Sequence, residues 1–202
     1  MMIWYVADKD YVNFLHGIDN KVENIEYANK LKPYFGIVLN INDIKYYMPV
    51  SSPKAKHRRM KNSNDFQKLC DLETGELIAV LNINNMIPIP SYCINELKYN
   101  EVGLYRCFKD EKDKNQYVNF LRKELDIINS LAGTIKRKGI YLYNYYKQFP
   151  NDKVSKRCCN FPSLESKMFE YDVKQQIAAT SDPESKEWIP CRGILMISPT
   201  QF

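Results

Sequence analysis

Five cations, Lys54, Lys56, Arg58, Arg59 and Lys61, fall within eight consecutive positions that also hold His57 and no carboxylate. Directly before them stand Ser51, Ser52 and Pro53. Such a cluster attracts anions whatever the net charge of the chain. If the anion is RNA, cleavage without metal needs three things. One group takes the proton of the 2′-hydroxyl, another protonates the departing 5′-oxygen, and positive charge or donors meet the charge that builds on the phosphoryl oxygens. Ser51 and Ser52 supply hydroxyls. Lys54 supplies a charge and a proton, and His57 an imidazole whose unperturbed pKa of about 6.5 lies near neutrality. Cationic neighbours should lower that value and leave the ring neutral. Pro53 fixes φ and holds the bend between the hydroxyls and the lysine.

The elements that must position this segment are strands. "PYFGIVLNI" (33–41) and "IKYYMPV" (44–50) flank Asn42-Asp43, a pair suited to the left-handed conformations of a tight hairpin, and the second strand runs straight into Ser51. Ile3 to Ala7 reads as a further strand, and Asp8 as the cap of a short helix carrying Tyr11, Phe14 and Leu15 on one side, with Gly17 as its stop. A polar loop leads from there to the hairpin. Thr74-Gly75 mark a turn, and Leu77 to Ile87 read as strand ended by Pro88 and Pro90. From Asp113 the period changes to helical, with Tyr117, Leu121, Leu125, Ile128 and Leu131 as the apolar stripe. A second helix spans Thr134 to Lys147, its tyrosines (Tyr141, Tyr143, Tyr145, Tyr146) read as packing. Strands followed by helices predict an α+β fold with segregated layers.

Composition excludes several classes. The chain has 202 residues, is 45% hydrophobic and carries a formal net charge of +5, as expected of one globular domain with a basic patch. Its six cysteines form no C-x-x-C pair and there are two histidines, so no spacing suggests zinc; Cys158 and Cys159 read as core thiols. "MMIWYVADKD" is too short an apolar run for a signal peptide and no segment suits a membrane span, so a cytoplasmic protein is expected. Residues 1–171 form the expected domain. Residues 172–202 show no clear periodicity and read as a C-terminal extension, either accessory or foreign, outside the fold argument.

Four segments together resemble the ToxN/AbiQ family of type III toxin–antitoxin endoribonucleases: "YANKLKPYFGIVL" (27–39), "KYYMPVSSPKAKH" (45–57), "LNINNMIPIP" (81–90) and "CNFPSLESK" (159–167). The resemblance implies a compact, twisted antiparallel sheet or partial β-barrel of Kid/MazF type with helices packed around it. It also implies metal-independent, sequence-preferring cleavage that leaves a 2′,3′-cyclic phosphate and a 5′-hydroxyl, with no cofactor. The family's hydroxyl-Ser-Pro-Lys motif falls on Ser51, Ser52, Pro53 and Lys54, Ser51 standing where many relatives have Thr. Its upstream Tyr and Lys fall on Tyr27 and Lys32, and its downstream His on His57. The implied partner is a small pseudoknotted antitoxin RNA, processed by the toxin and bound with it in a closed hetero-oligomer, with growth arrest and phage abortive infection as the outcome. Neither DNA nor a membrane is expected to bind.

On this reading Lys54 and Ser52 bind the scissile phosphate, Lys54 protonates the leaving oxygen, Ser51 adds a donor, and Tyr27 and Lys32 complete the pocket. His57, Lys56, Arg58, Arg59 and Lys61 track the RNA backbone. The general base stays open among Tyr27, His57 and a deprotonated lysine. Two other readings stand beside it: a non-catalytic RNA-binding module, which would bind with steep salt dependence and leave RNA intact, and a ribonuclease toxin neutralised by a protein.

Overall fold

The hairpin that delivers the serines is built from β2 (Tyr34–Ile41) and β3 (Ile44–Ser51), joined at Asn42 and Asp43 with φ of 51° and 64°. Positive φ at both central residues gives the turn whose twist matches that of the strands, so the two-residue loop fixes the register Ile41↔Ile44. Between Leu39 and Phe35 the register shifts. An irregularity of this kind increases local twist and bends the pair. The computed structural model describes residues 2–23 and 34–181, so Tyr27 and Lys32 lie outside the described residues. By internal packing the chain divides into two units, Met1–Phe169 and Glu170–Phe202.

β3 has neighbours on both edges. Opposite β2 it pairs β6 (Ile87–Pro88) through Tyr46 and Tyr47, and β5 (Leu77–Asn82) through Val50 and Ser51. With β1 (Trp4–Ala7), β4 (Phe66–Cys70) and β7 (Ile94–Glu96) the strand order is β4-β5-β3-β2-β1-β7, all pairs antiparallel. The result is a curled antiparallel sheet, a half-barrel within an α+β fold, as expected. Tyr46 through Val50 are all buried, so β3 is covered on both faces. The expected strand from Leu77 to Ile87 is interrupted: a single 3₁₀ turn, Ile83–Asn85, separates β5 from β6 and lets the Asn84 carbonyl accept the Cys159 N–H at 2.9 Å. Strand β4, polar and short, escaped the sequence reading.

Helix α1 (Lys9–Ile18) is capped by Asp8, whose carboxylate accepts the Tyr11 N–H at 2.8 Å, and it buries Tyr11, Val12 and Leu15. Gly17 does not stop it. The helix continues to Ile18, and the extended backbone of Asp19 ends it, with the Asp19 N–H on the Leu15 carbonyl. Phe14 is only half-buried. Helix α3 (Glu111–Ser130) buries Val118, Leu121, Ile127 and Ile128. The indole of Trp4 donates to the Leu121 carbonyl at 2.9 Å, tying β1 to α3. Leu125, expected on the apolar stripe, is half-buried, and the neighbouring Glu124 is buried instead.

Helix α4 (Ala132–Gln148) follows with a short break, and α5 (Phe161–Ser181) ends the described chain. The hydroxyls of Tyr46 on β3 and Tyr143 on α4 both donate to Glu165 Oε1 on α5, at 2.6 and 2.8 Å, beside the ring of Phe161. Burial, reinforced by the Glu165 hydrogen bonds, pushes both phenols well above their ordinary pKa and keeps them donors. Of the tyrosine cluster, Tyr143 is therefore core, whereas Tyr141 is exposed and stacks on Tyr145. Cys158 and Cys159 are buried free thiols, as expected, and burial pushes Cys158 up to about 12. Among the described residues no helix is long and apolar enough to cross a membrane.

Candidate active site

Where β3 ends, Ser51 is still laddered to Val80 of β5, so its backbone is held by the sheet. Ser52 and Pro53 follow outside any regular element, Lys54 is extended, and α2 (Ala55–Arg59) starts directly after it. His57 locks this corner. The Lys54 N–H donates to His57 Nδ1 at 3.1 Å, while the His57 N–H donates to the Lys54 carbonyl at 2.9 Å. An Nδ1 that accepts from an amide carries no proton, so the neutral ring holds its hydrogen on Nε2. Burial lowers the pKa of His57, and the charges of Lys56 and Lys54 lower it further. The ring is 5% exposed and lies against Phe66 with centroids 5.5 Å apart. His57 is thus a buried latch of the bend rather than part of the exposed cationic face.

The corner opens on a cleft of about 1020 Å³, larger than most small-molecule pockets and suited to a segment of polymer. Ser51, Ser52, Lys54, Lys56 and His57 are among its lining; Arg58, Arg59 and Lys61 are exposed on the surface and are not part of it. The bend therefore splits the cationic run into two sets. Lys54 and Lys56 face the cleft, and the others form a charged surface beyond it.

Three features of this cleft were not legible in the sequence. Glu23 enters from the end of the α1 loop and accepts the Ser51 hydroxyl at 3.0 and 3.2 Å and the Asn82 amide at 3.3 Å. With its proton directed at Glu23, Ser51 offers the cleft its lone pairs. Arg157 reaches the cleft from the turn before α5, its Nε and Nη2 donating to Asp65 Oδ2 at 3.0 and 2.7 Å. Burial would raise the pKa of Asp65, but hydrogen bonds from Ser63 and Arg157 outweigh it and hold the carboxyl below its ordinary range. Finally, Tyr117, Phe120, Leu121 and Glu124 of α3 also line the cleft, one helical stripe at i, i+3, i+4 and i+7.

These groups can bind a phosphodiester, give a proton and take one. Lys54 is an exposed ammonium, Ser52 an exposed hydroxyl, and the Ser51–Glu23 pair a hydroxyl coupled to a carboxylate.

The family model for toxin ToxN of type III toxin–antitoxin systems matches residues 4–169. The chain is 29% identical to an endoribonuclease ToxN of Bacillus thuringiensis subsp. kurstaki, over 86% of each chain. It is 30% identical to an endoribonuclease ToxN of Pectobacterium atrosepticum, over 82% of this chain and 91% of the relative. Among solved structures, a type III toxin selectively inhibited by a non-coding RNA pseudoknot superposes with a TM-score of 0.69 at 26% identity, covering 85% of this chain and 98% of the other. A bacterial antiviral system regulated by a processed non-coding RNA gives a TM-score of 0.69 at 28% identity, covering 83% and 98%. The half-barrel, the serine-lysine corner and the match over nearly all of the first unit lead to one assignment: the chain belongs to the ToxN family of endoribonuclease toxins of type III toxin–antitoxin systems.

Proposed function

We propose that this chain cuts RNA without a metal, by transesterification, leaving a 2′,3′-cyclic phosphate and a 5′-hydroxyl. The observation that carries the reading is the meeting of Lys54, Ser52 and the Ser51–Glu23 pair at one corner of the cleft. Lys54 and Ser52 hold the scissile phosphate. The 2′-hydroxyl proton passes to Ser51 Oγ as the proton of Ser51 moves to Glu23; the 2′-oxygen bonds to phosphorus, the P–O5′ bond breaks, and the Lys54 ammonium protonates O5′. Charge on the phosphoryl oxygens then builds where an ammonium and a hydroxyl line the cleft, and preorganised groups of this kind are the largest contributors to such catalysis. His57 positions Lys54 and takes no proton. Tyr27 and Lys32 complete the pocket, and Lys56, Arg58, Arg59 and Lys61 track the RNA backbone.

The same groove binds the antitoxin. A folded RNA that the toxin has cut from its own precursor keeps its end in the cleft and its phosphates on the basic surface, as the pseudoknot and processed-RNA systems of the solved relatives suggest. Toxin and RNA then close into a hetero-oligomer in the cytoplasm, and release of the toxin arrests growth during phage infection. Residues 172–202 stand outside this activity, since the family match ends at residue 169.

The test is cleavage of RNA by purified protein, with end analysis, in the presence of EDTA. Cutting should persist and yield cyclic phosphates; activity abolished by chelation and restored by magnesium would refute the metal-free step. Lys54→Ala and Ser52→Ala should bind RNA and leave it intact, whereas a non-catalytic module would show weaker binding in these variants and no cutting by the wild type.

A further inference from the structure

Arg157 lines the cleft but has no part in the transesterification. It closes the 3₁₀ turn Ser155–Arg157, a short step before α5, and it is fixed at both ends. Its carbonyl accepts the side-chain amide of Asn84 at 2.8 Å, and two residues on, the Cys159 N–H donates to the Asn84 carbonyl. At the other end the guanidinium donates from Nε and Nη2 to Oδ2 of Asp65, whose Oδ1 accepts the Ser63 hydroxyl at 2.6 Å. The Asp65 side chain is 11% exposed and that of Arg157 57%, so the pair has one closed side and one open side.

A guanidinium carries five N–H donors in a planar fork. Asp65 takes those along the Nε–Nη2 edge. The Nη1–Nη2 end keeps its N–H groups, and no acceptor among the described residues takes them. An ion pair that only tied α5 to β4 would need no second edge in the cleft. Lys21, which also lines the cleft, differs in this respect: its ammonium is engaged by the Cys158 carbonyl at 2.8 Å. The free end of a guanidinium matches two oxygens of a phosphate. Because Asp65 and Asn84 already order the residue, little side-chain freedom is lost when such a group binds.

We propose that Arg157 is a second phosphate clamp of the cleft: Asp65 holds one edge of its guanidinium, and the other edge takes two oxygens of an RNA backbone phosphate other than the scissile one. The inference rests on the reading of the cleft as a ribonuclease site and adds a fixed point, about a hundred residues from the serine-lysine corner in the chain, that sets how the strand lies across that corner.

The test is the double variant Asp65→Asn, Arg157→Gln. It removes one charge of each sign, so the net charge of the cleft is unchanged, and the two amides can still bond to each other and to Ser63. Circular dichroism checks that the samples compared are folded. The probe is a 2′-O-methyl RNA strand, which has no free 2′-hydroxyl and cannot be cut by transesterification. The double variant should bind it about 12- to 150-fold more weakly than the wild type, the range for a hydrogen bond to a charged group. Its log–log salt slope should be shallower by about 0.7, one single-stranded phosphate fewer. With an unmodified strand the loss should fall on KM rather than kcat, since a phosphate away from the reacting centre is held equally before and in the transition state. Arg157→Lys keeps the charge, but an ammonium paired with Asp65 has no second edge, so this variant should bind nearly as weakly as the double one. Wild-type binding in either folded variant, or a loss confined to kcat, overturns the clamp. A wild type that cuts no RNA while the double variant binds the probe more weakly would refute the catalytic reading and keep the clamp; a wild type that cuts, with a double variant that binds and cuts as it does, would do the reverse.

Discussion

His57 offers the sharpest test of how the corner works, because its ring nitrogen accepts the Lys54 N–H and latches the bend. Replacing it with Ala removes the acceptor for the Lys54 N–H, a hydrogen bond with a net value of about 0.5–1.5 kcal/mol. It also removes a buried ring packed on Phe66, bringing the expected loss of stability to about 1–3 kcal/mol. The Lys54 N–H then faces a void, and the bend is no longer held in one conformation. If the whole hydrogen-bond term falls on the active conformation, cleavage drops about 2- to 12-fold through kcat, with RNA affinity nearly unchanged. His57→Asn separates latch from imidazole, since the amide oxygen takes the place of Nδ1 and accepts the same N–H. That variant should cut close to the wild-type rate and melt between the other two.

The pH dependence has a definite sign. The pKa of His57 is lowered in the folded state by burial and by Lys56 and Lys54, so below about 6.5 the unfolded chain binds the proton that the folded chain refuses. Stability from this group is complete above that value and is lost as pH falls from there toward the folded pKa. Urea titrations of wild type and His57→Asn at pH 7.5 and 5.5 should therefore differ, with the wild type losing more on acidification. Single-turnover cleavage by the same proteins supplies the second measurement. If His57→Asn is as inactive as Lys54→Ala while still folded, the imidazole takes part in proton transfer and the latch account is wrong.

Asp65→Asn should cost about 1–3 kcal/mol in urea unfolding, because it cuts the charge from a buried carboxylate that accepts from Ser63 and Arg157, and the wild-type contribution should disappear as pH falls through the lowered pKa of Asp65. Glu165→Ala leaves the hydroxyls of Tyr46 and Tyr143 without their acceptor and should lower stability by about 2–4 kcal/mol, measured by the same unfolding curves; a loss under half of that would show that other groups satisfy the phenols. Removing Arg58, Arg59 or Lys61 one at a time should flatten the salt dependence of RNA binding by about 0.7 in log–log slope for each phosphate no longer neutralised, with cleavage at saturating RNA unchanged. Deleting residues 172–202 should leave RNA cleavage and the thermal transition of the first unit intact, read by circular dichroism and gel assay.

The parts of the fold legible in the sequence are those fixed by neighbours along the chain. Asn42 and Asp43 carry their own conformational preference, so the hairpin and its register could be placed, and with it the point where the strand yields to Ser51. Asp8 caps a helix three residues away for the same reason. Gly17 misled because a glycine stops a helix only when its backbone turns left-handed, and here the chain continues helical through it. The interruption at Ile83–Asn85 is set by a hydrogen bond from Cys159, a residue so distant that no local pattern reports it.

The same division runs through the site. Ser51, Ser52 and Lys54 stand out because they fall within four positions, and the effect of cationic neighbours on His57 could be foreseen because those neighbours are close in sequence; its burial could not, since Phe66 lies against it from β4. Glu23 and Glu124 read in sequence as ordinary acids in polar company. On α3 the apolar period predicts which face turns inward, and Glu124 lies within one position of it, next to Leu125. A helix rotated by one residue would have buried the leucine and left the carboxylate in water, which is the cheaper arrangement. The Trp4 indole on the Leu121 carbonyl holds the other rotation, in which Leu121 is buried and Tyr117, Phe120 and Glu124 face the cleft together. A sheet residue thus sets which side of α3 lines the cleft, and the burial of Glu124 is the cost of that choice.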